Sequence, residues 1–103
     1  MSEYPKTALD TELKRYSIKP DSWDAFLAVW QRMVVLRKRF GFEIPFAFVD
    51  QNTNVFTWAV SHTGDFDAAS RAFHAAPERA ELDVAKEYVT AVEVTKVSRL
   101  AIP

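Results

Sequence analysis

Two histidines, His62 and His74, are the side chains of this chain best suited to moving a proton or binding a metal near neutral pH. His62 closes an alternating run in which Phe56, Trp58, Val60 and His62 share one strand face. A histidine there could act as a general base or a haem ligand at the mouth of a pocket, or simply end a strand at the surface. His74 follows Phe73 late in a helical segment and carries the same two options. Neither histidine has a second histidine or a carboxylate at ligand spacing, and the chain has no cysteine, so no metal site is expected. Tyr16, Trp30, Phe56, Trp58 and Phe73 are the aromatics that could line an apolar pocket between sheet and helices, with His74 at its rim. The competing account is that they fill the core. Arg15 and Arg79 could grip a carboxylate bidentately, or pair with surface acids.

Other chemistries find little footing. Ser61 adjoins His62, but neighbours on a strand point to opposite faces, and no GxSxG motif occurs. Gly41 and Gly64 are the only glycines, too few for a loop that cradles phosphate. No cofactor is therefore expected, and nucleotide-dependent chemistry is disfavoured.

The elements that must position these residues centre on one helix. Leu9 to Lys19 reads as a strand, with Leu13, Arg15 and Ser17 on one face and Lys14, Tyr16 and Ile18 on the other. Lys19-Pro20 ends it, since a residue before proline is pushed to extended geometry. Asp21 or Ser22 can then cap a helix whose stripe runs Trp23, Phe26, Leu27, Trp30, Met33, Val34 and Arg37. Arg37, Lys38 and Arg39 suit its C-terminal dipole, and Gly41 supplies the left-handed exit. Glu43 to Asp50 reads as a second strand, with Ile44, Phe46 and Phe48 on one face and Ala47 and Val49 on the other. Pro45 places this strand at an edge or near a bulge. A polar turn over residues 50–54 joins it to a third strand, Asn54 to His62, as an antiparallel hairpin. Asp65 caps a helix running to about Ala75, and Glu78 to Glu87 reads as a short charged helix. Tyr88 to Leu100 is the last strand, with Thr90, Val92, Val94 and Lys96 on one face and Val89, Ala91 and Val97 on the other. Residues 1–8 read as a frayed lead-in.

At 103 residues, without linkers, repeats or low-complexity segments, the chain is expected to form one domain over residues 1–103. A net charge of −1 without a basic face argues against nucleic acid. No apolar run suits a signal peptide or a membrane span, so a cytoplasmic protein is expected.

The order strand, helix, strand, strand, helix, strand is that of an α+β, ferredoxin-like βαββαβ antiparallel sheet. Such a sheet keeps one face towards solvent when its subunit stands alone. With 49% hydrophobic residues, and strands apolar on both faces, a second copy is expected to cover that face, giving a homodimeric α/β barrel.

Arg15-Tyr16-Ser17-Ile18-Lys19-Pro20, the Trp23 to Trp30 segment and Arg39-Phe40-Gly41-Phe42 together resemble the NIPSNAP family of dimeric α/β-barrel proteins. The likeness continues through Asn54-Val55-Phe56-Thr57-Trp58 and Ala76-Pro77-Glu78-Arg79 and fits the short bacterial branch. It departs from the family at Ser61-His62 and Phe73-His74, where an aromatic is common near the first and before Pro77. The resemblance implies the fold and a homodimer but no reaction. Two functions remain open: a module binding a small apolar or aromatic molecule, or a cofactor-independent monooxygenase or isomerase in which Tyr16, Trp58 and His62 orient substrate and move protons. Haem binding through His62 or His74 ranks below both.

Overall fold

The structure, a computed structural model, describes residues 9–100 and 102–103; the expected lead-in over residues 1–8 lies outside them. Strand β1 (Thr11–Ile18) is followed by a 3-10 turn (Pro20–Ser22) and helix α1 (Trp23–Arg39). Strands β2 (Phe42–Glu43), β3 (Ala47–Asp50) and β4 (Val55–His62) come next. Helices α2 (Phe66–Ala75) and α3 (Pro77–Ala80), a 3-10 segment (Glu81–Tyr88) and strand β5 (Val89–Val97) complete the order. The sheet is antiparallel throughout, ordered β2-β4-β1-β5, with β3 also pairing β4. The α+β, ferredoxin-like arrangement expected from the element order is therefore the one observed. The helical layer covers one face through a core that includes Ile18, Trp23, Phe26, Leu36, Phe42, Phe56, Trp58, Val60, Phe66, Phe73 and Leu82.

Two irregularities decide which residues meet that core. Phe42 and Glu43 pair with His62 and Ser61, whereas Ala47 and Phe48 pair with Trp58 and Thr57, so β2 and β3 differ in register by one residue. The extra residue falls around Pro45, which has no N–H for the ladder. It leaves Ile44 packed against the core and turns Phe46 and Phe48 to the sheet's other face, rather than placing all three together. Their rings lie 5.4 Å apart there, with Phe48 64% exposed. A second shift, between Ser17 and Ile18 on β1, carries Val89 to the core side, away from the face shared by Ala91 and Val97.

The helix ends follow the sequence in part. Ser22 occupies the N-cap of α1, but neither it nor Asp21 caps through a side chain. The preceding turn takes over part of that role, Ser22 N–H donating to Lys19 O at 2.9 Å. At the other end Phe40 and Gly41 donate to Arg37 and Lys38 carbonyls, and Gly41 adopts φ +85°. Asp65 does cap α2, accepting from Ala68 N–H at 3.0 Å. The expected helix from Glu78 to Glu87 is instead one α turn and a 3-10 run.

Asn54, just before β4, ties the hairpin turn to the end of β1 and the start of α1. Its φ is +57°, its carbonyl accepts from Ile18 N–H at 2.8 Å, and its Oδ1 accepts from the buried Trp23 Nε1 at 2.9 Å. Asn54→Ala is expected to cost about 2 kcal/mol by urea denaturation, because the left-handed backbone and a buried donor both lose support. Asn54→Gly should recover about half, restoring the backbone but not the indole's partner.

Candidate functional site

Between α1, the 3-10 segment after α3 and the β1–β5 side of the sheet lies a cleft of about 350 Å3. Tyr16 and Val92 rise from the sheet; Phe26, Trp30 and Met33 descend from α1; Leu82 and Ala85 close the third side. Arg79, Asp83 and Lys86 bring charge to the wall. The helical spacing of Phe26, Trp30 and Met33 aims them at one side, and strand alternation puts Tyr16 beneath them. Val92 is exposed because no helix extends fully over edge strand β5, which leaves the cleft open there.

Behind the cleft the interior is cationic. Lys14 is 7% exposed and Arg37 only 2%. Lys14 Nζ lies 3.6 Å from Glu12 Oε1 and 5.1 Å above the Trp58 ring centre. The Arg37 guanidinium sits 3.9 Å from the Phe73 ring centre and 4.9 Å from that of Phe42, with Arg79 5.8 Å from Phe73. Burial, reinforced by Arg37, pulls the Lys14 ammonium down to about 8 despite Glu12, and burial brings Arg37 down to about 10. Burial also raises the Tyr16 hydroxyl, so it stays protonated at neutral pH and can donate. Trp30 Nε1, Arg37 Nε and Nη1, and Arg79 Nε are buried donors without a hydrogen-bond partner. Native interiors leave few such groups unpaired.

The residues singled out from sequence are not brought to one place. Tyr16 and Trp30 line the cleft. Phe56 and Trp58 lie fully buried beneath, linked to Trp30 by edge-on contacts at 5.1 and 5.7 Å, whereas Phe73, also fully buried, packs against Phe40 and Phe42 instead. His62 sits outside the cleft at the end of β4, where both nitrogens engage backbone. Nδ1 accepts from Gly64 N–H at 2.9 Å, which leaves the ring proton on Nε2, 3.1 Å from Phe40 O. His74 is on the exposed side of α2 beside Asp67, Ser70 and Arg71; burial, with Arg37 next, lowers its pKa. Arg15 lies on the opposite sheet face, 4.0 Å from Glu93, whereas Arg79 reaches the cleft and pairs with Asp83. Among the described residues no cluster of three or more His, Cys, Asp or Glu could hold a metal ion, and no helix is long and apolar enough to cross a membrane. Sequence reasoning left Lys14 and Arg37 unassigned. The available signals were that Arg37 continues the apolar stripe four residues after Met33, and that Lys14 shares a strand face with Tyr16.

No family model matches the sequence, and no curated protein is significantly similar to it. Solved structures do share the fold. An uncharacterised NIPSNAP domain protein from Burkholderia xenovorans aligns with TM-score 0.77 at 13% identity, over 90% of this chain and 96% of that one. A NIPSNAP family protein of unknown function from Agrobacterium tumefaciens gives 0.72 at 16%, over 88% and 89%. A protein assigned as an antibiotic biosynthesis monooxygenase from Nitrosomonas europaea gives 0.72 at 12%, over 87% and 88%. The fold is thus the one the NIPSNAP resemblance implies, and it is common to proteins assigned as monooxygenases.

Proposed function

We propose that this chain is a NIPSNAP-like homodimeric protein of the cytoplasm that binds a small apolar or aromatic molecule in the cleft between sheet and helices. The cleft itself carries this reading: its volume suits a small ligand, its walls are chiefly aromatic and aliphatic, and its mouth is open at Val92. A thermal-shift and calorimetric screen of small aromatic compounds should find binders. Val92→Trp, which fills the mouth from an exposed position, should abolish their binding. Binders that are unaffected by this change would place the site elsewhere.

The homodimer is supported by Phe46 and Phe48 on the sheet face away from the helices, with Leu13 and Val97 half-buried nearby. In a two-fold dimer each residue acts twice. Fully burying a phenylalanine contributes about 1.5–3 kcal/mol, so Phe48→Lys should weaken association by about 3–6 kcal/mol per dimer. Sedimentation should then move from twice 11.8 kDa towards 11.8 kDa at micromolar protein.

The second reading is cofactor-independent oxidation or isomerisation of a small aromatic or polyketide-like substrate. It is favoured by the protonated Tyr16 hydroxyl in the cleft wall, and by the fold shared with proteins assigned as monooxygenases. Turnover that survives Tyr16→Phe would count against it. His62, engaged with backbone on both nitrogens, is expected to affect stability more than turnover.

A further inference from the structure

We infer that the molecule taken by the cleft is an organic acid, an aromatic or alkyl body bearing one carboxylate held by Arg79 with the Tyr16 hydroxyl beside it. This rests on the cleft being a ligand site and specifies the class of ligand. Arg79 and Tyr16 both line the cleft together with Phe26, Trp30, Met33 and Val92, so an apolar body and a charged head can be held at once. Arg79 engages Asp83 through one terminal nitrogen, while its Nε is buried without a partner.

Charge on this side of the sheet is unbalanced in the same direction. Lys14, Arg37 and Arg79 interact across it, against Glu12 inside and Asp83 at the rim. Lys86, which also lines the cleft and lies 3.7 Å from Asp83, adds to the excess of positive charge, and a monocarboxylate would offset part of it. Arg37 is fully buried with two orphaned donors, stacked on Phe73 and Phe42 with no carboxylate within ion-pair distance among the described residues. It does not line the cleft and is assigned only its field. A guanidinium facing a carboxylate away from bulk water forms charge-assisted hydrogen bonds that a neutral head cannot match. The apolar walls then select the body of the acid, not its charge.

The test compares 2-naphthoate with its neutral isostere 2-naphthamide by calorimetry on the full chain. The acid is expected to bind at least tenfold more tightly than the amide. Arg79→Met should remove that preference while leaving amide affinity within about twofold, and Arg79→Lys should keep part of it. Arg32→Met, which removes an exposed cation that pairs with Glu81 outside the cleft, should leave the preference unchanged. Near-UV circular dichroism establishes that each variant is folded. Equal affinity for acid and amide overturns the acid inference but leaves the cleft as a binding site. A preference that persists in Arg79→Met, or disappears in Arg32→Met, overturns the role of Arg79. Binding of neither compound contradicts the cleft reading and this inference with it.

Discussion

Replacing Lys14 by Met should stabilise the free protein at pH 7 by about 1–3 kcal/mol, raising its melting temperature by several degrees. Lys14 is buried, and its pKa is pulled down to about 8 from the usual 10.5. Holding it charged below pH 8 therefore costs at most about 3 kcal/mol, since each pKa unit is about 1.4 kcal/mol. Met occupies similar space without a charge. Losing the Glu12 ion pair and the contact with Trp58 offsets part of the gain. The pH dependence has a definite sign. Between pH 8 and 10.5 the unfolded chain still binds the Lys14 proton while the folded chain has released it, so stability rises with pH across that window. Glu12, Arg37, Arg79 and Tyr16 are the groups that act on Lys14 or its surroundings. Of these, Tyr16 opposes the trend above about pH 10, where the unfolded phenol ionises and the buried one does not. Melting temperatures between pH 7.5 and 9.5 should climb in the native sequence and lose that Lys14 component in the variant. The same substitution should weaken binding of a carboxylate ligand, because it removes part of the field behind the cleft. Stability gained with affinity lost is the pattern expected of a site built for a ligand.

Gly41→Ala should destabilise by about 2–3 kcal/mol, a loss of about 8–20 °C in a domain of this size. Gly41 has φ +85°, and a Cβ built there falls 2.9 Å from His62 Nε2. The His62 ring cannot give way freely, since it is held between Phe40 O and Gly64 N–H. It also packs edge-on against Phe42 at 5.1 Å. The added methyl must displace the ring and with it the link between the end of α1, the end of β4 and the turn into α2. A double-mutant cycle with His62→Ala separates the two causes. The ring clash should disappear in the double variant, leaving only the backbone penalty and a coupling of at least about 1 kcal/mol. Strict additivity would mean that the ring is not the obstacle.

The order of elements was legible because each rests on local chemistry. The span of α1, the Gly41 exit and the Asp65 cap stand where the sequence puts them, but the buried face of α1 includes Val29 and Leu36, which the expected stripe left out, and not Val34. The faces of the sheet were less legible. Pro45 signalled a bulge, but whether the extra residue falls before or after Phe46 is settled by pairing with β4, and that choice decides which way Phe46 and Phe48 point. Val89 likewise depends on a slip against β1 that no local pattern records. The site was half visible. Tyr16, Trp30 and Arg79 do line the cleft, while Phe56 and Trp58 lie beneath it and Phe73 packs against Phe40 and Phe42, distinctions of depth and position that periodicity cannot resolve. His62 drew attention as chemistry, yet in the structure it joins three backbone segments. Lys14 was placed on the face of Tyr16 and Arg37 at the end of the α1 stripe, but neither position says that the charge itself is buried.

The proposed site stands most on an interior with more positive than negative charge, and the Lys14 ammonium reports on it directly. Its titration can be followed by carbon-13 NMR at Cε, with Lys14→Met identifying the resonance. The expected midpoint is near pH 8 in the free protein, moving upward when 2-naphthoate saturates the cleft. A midpoint at the ordinary lysine value near 10.5, unmoved by the acid, would contradict it.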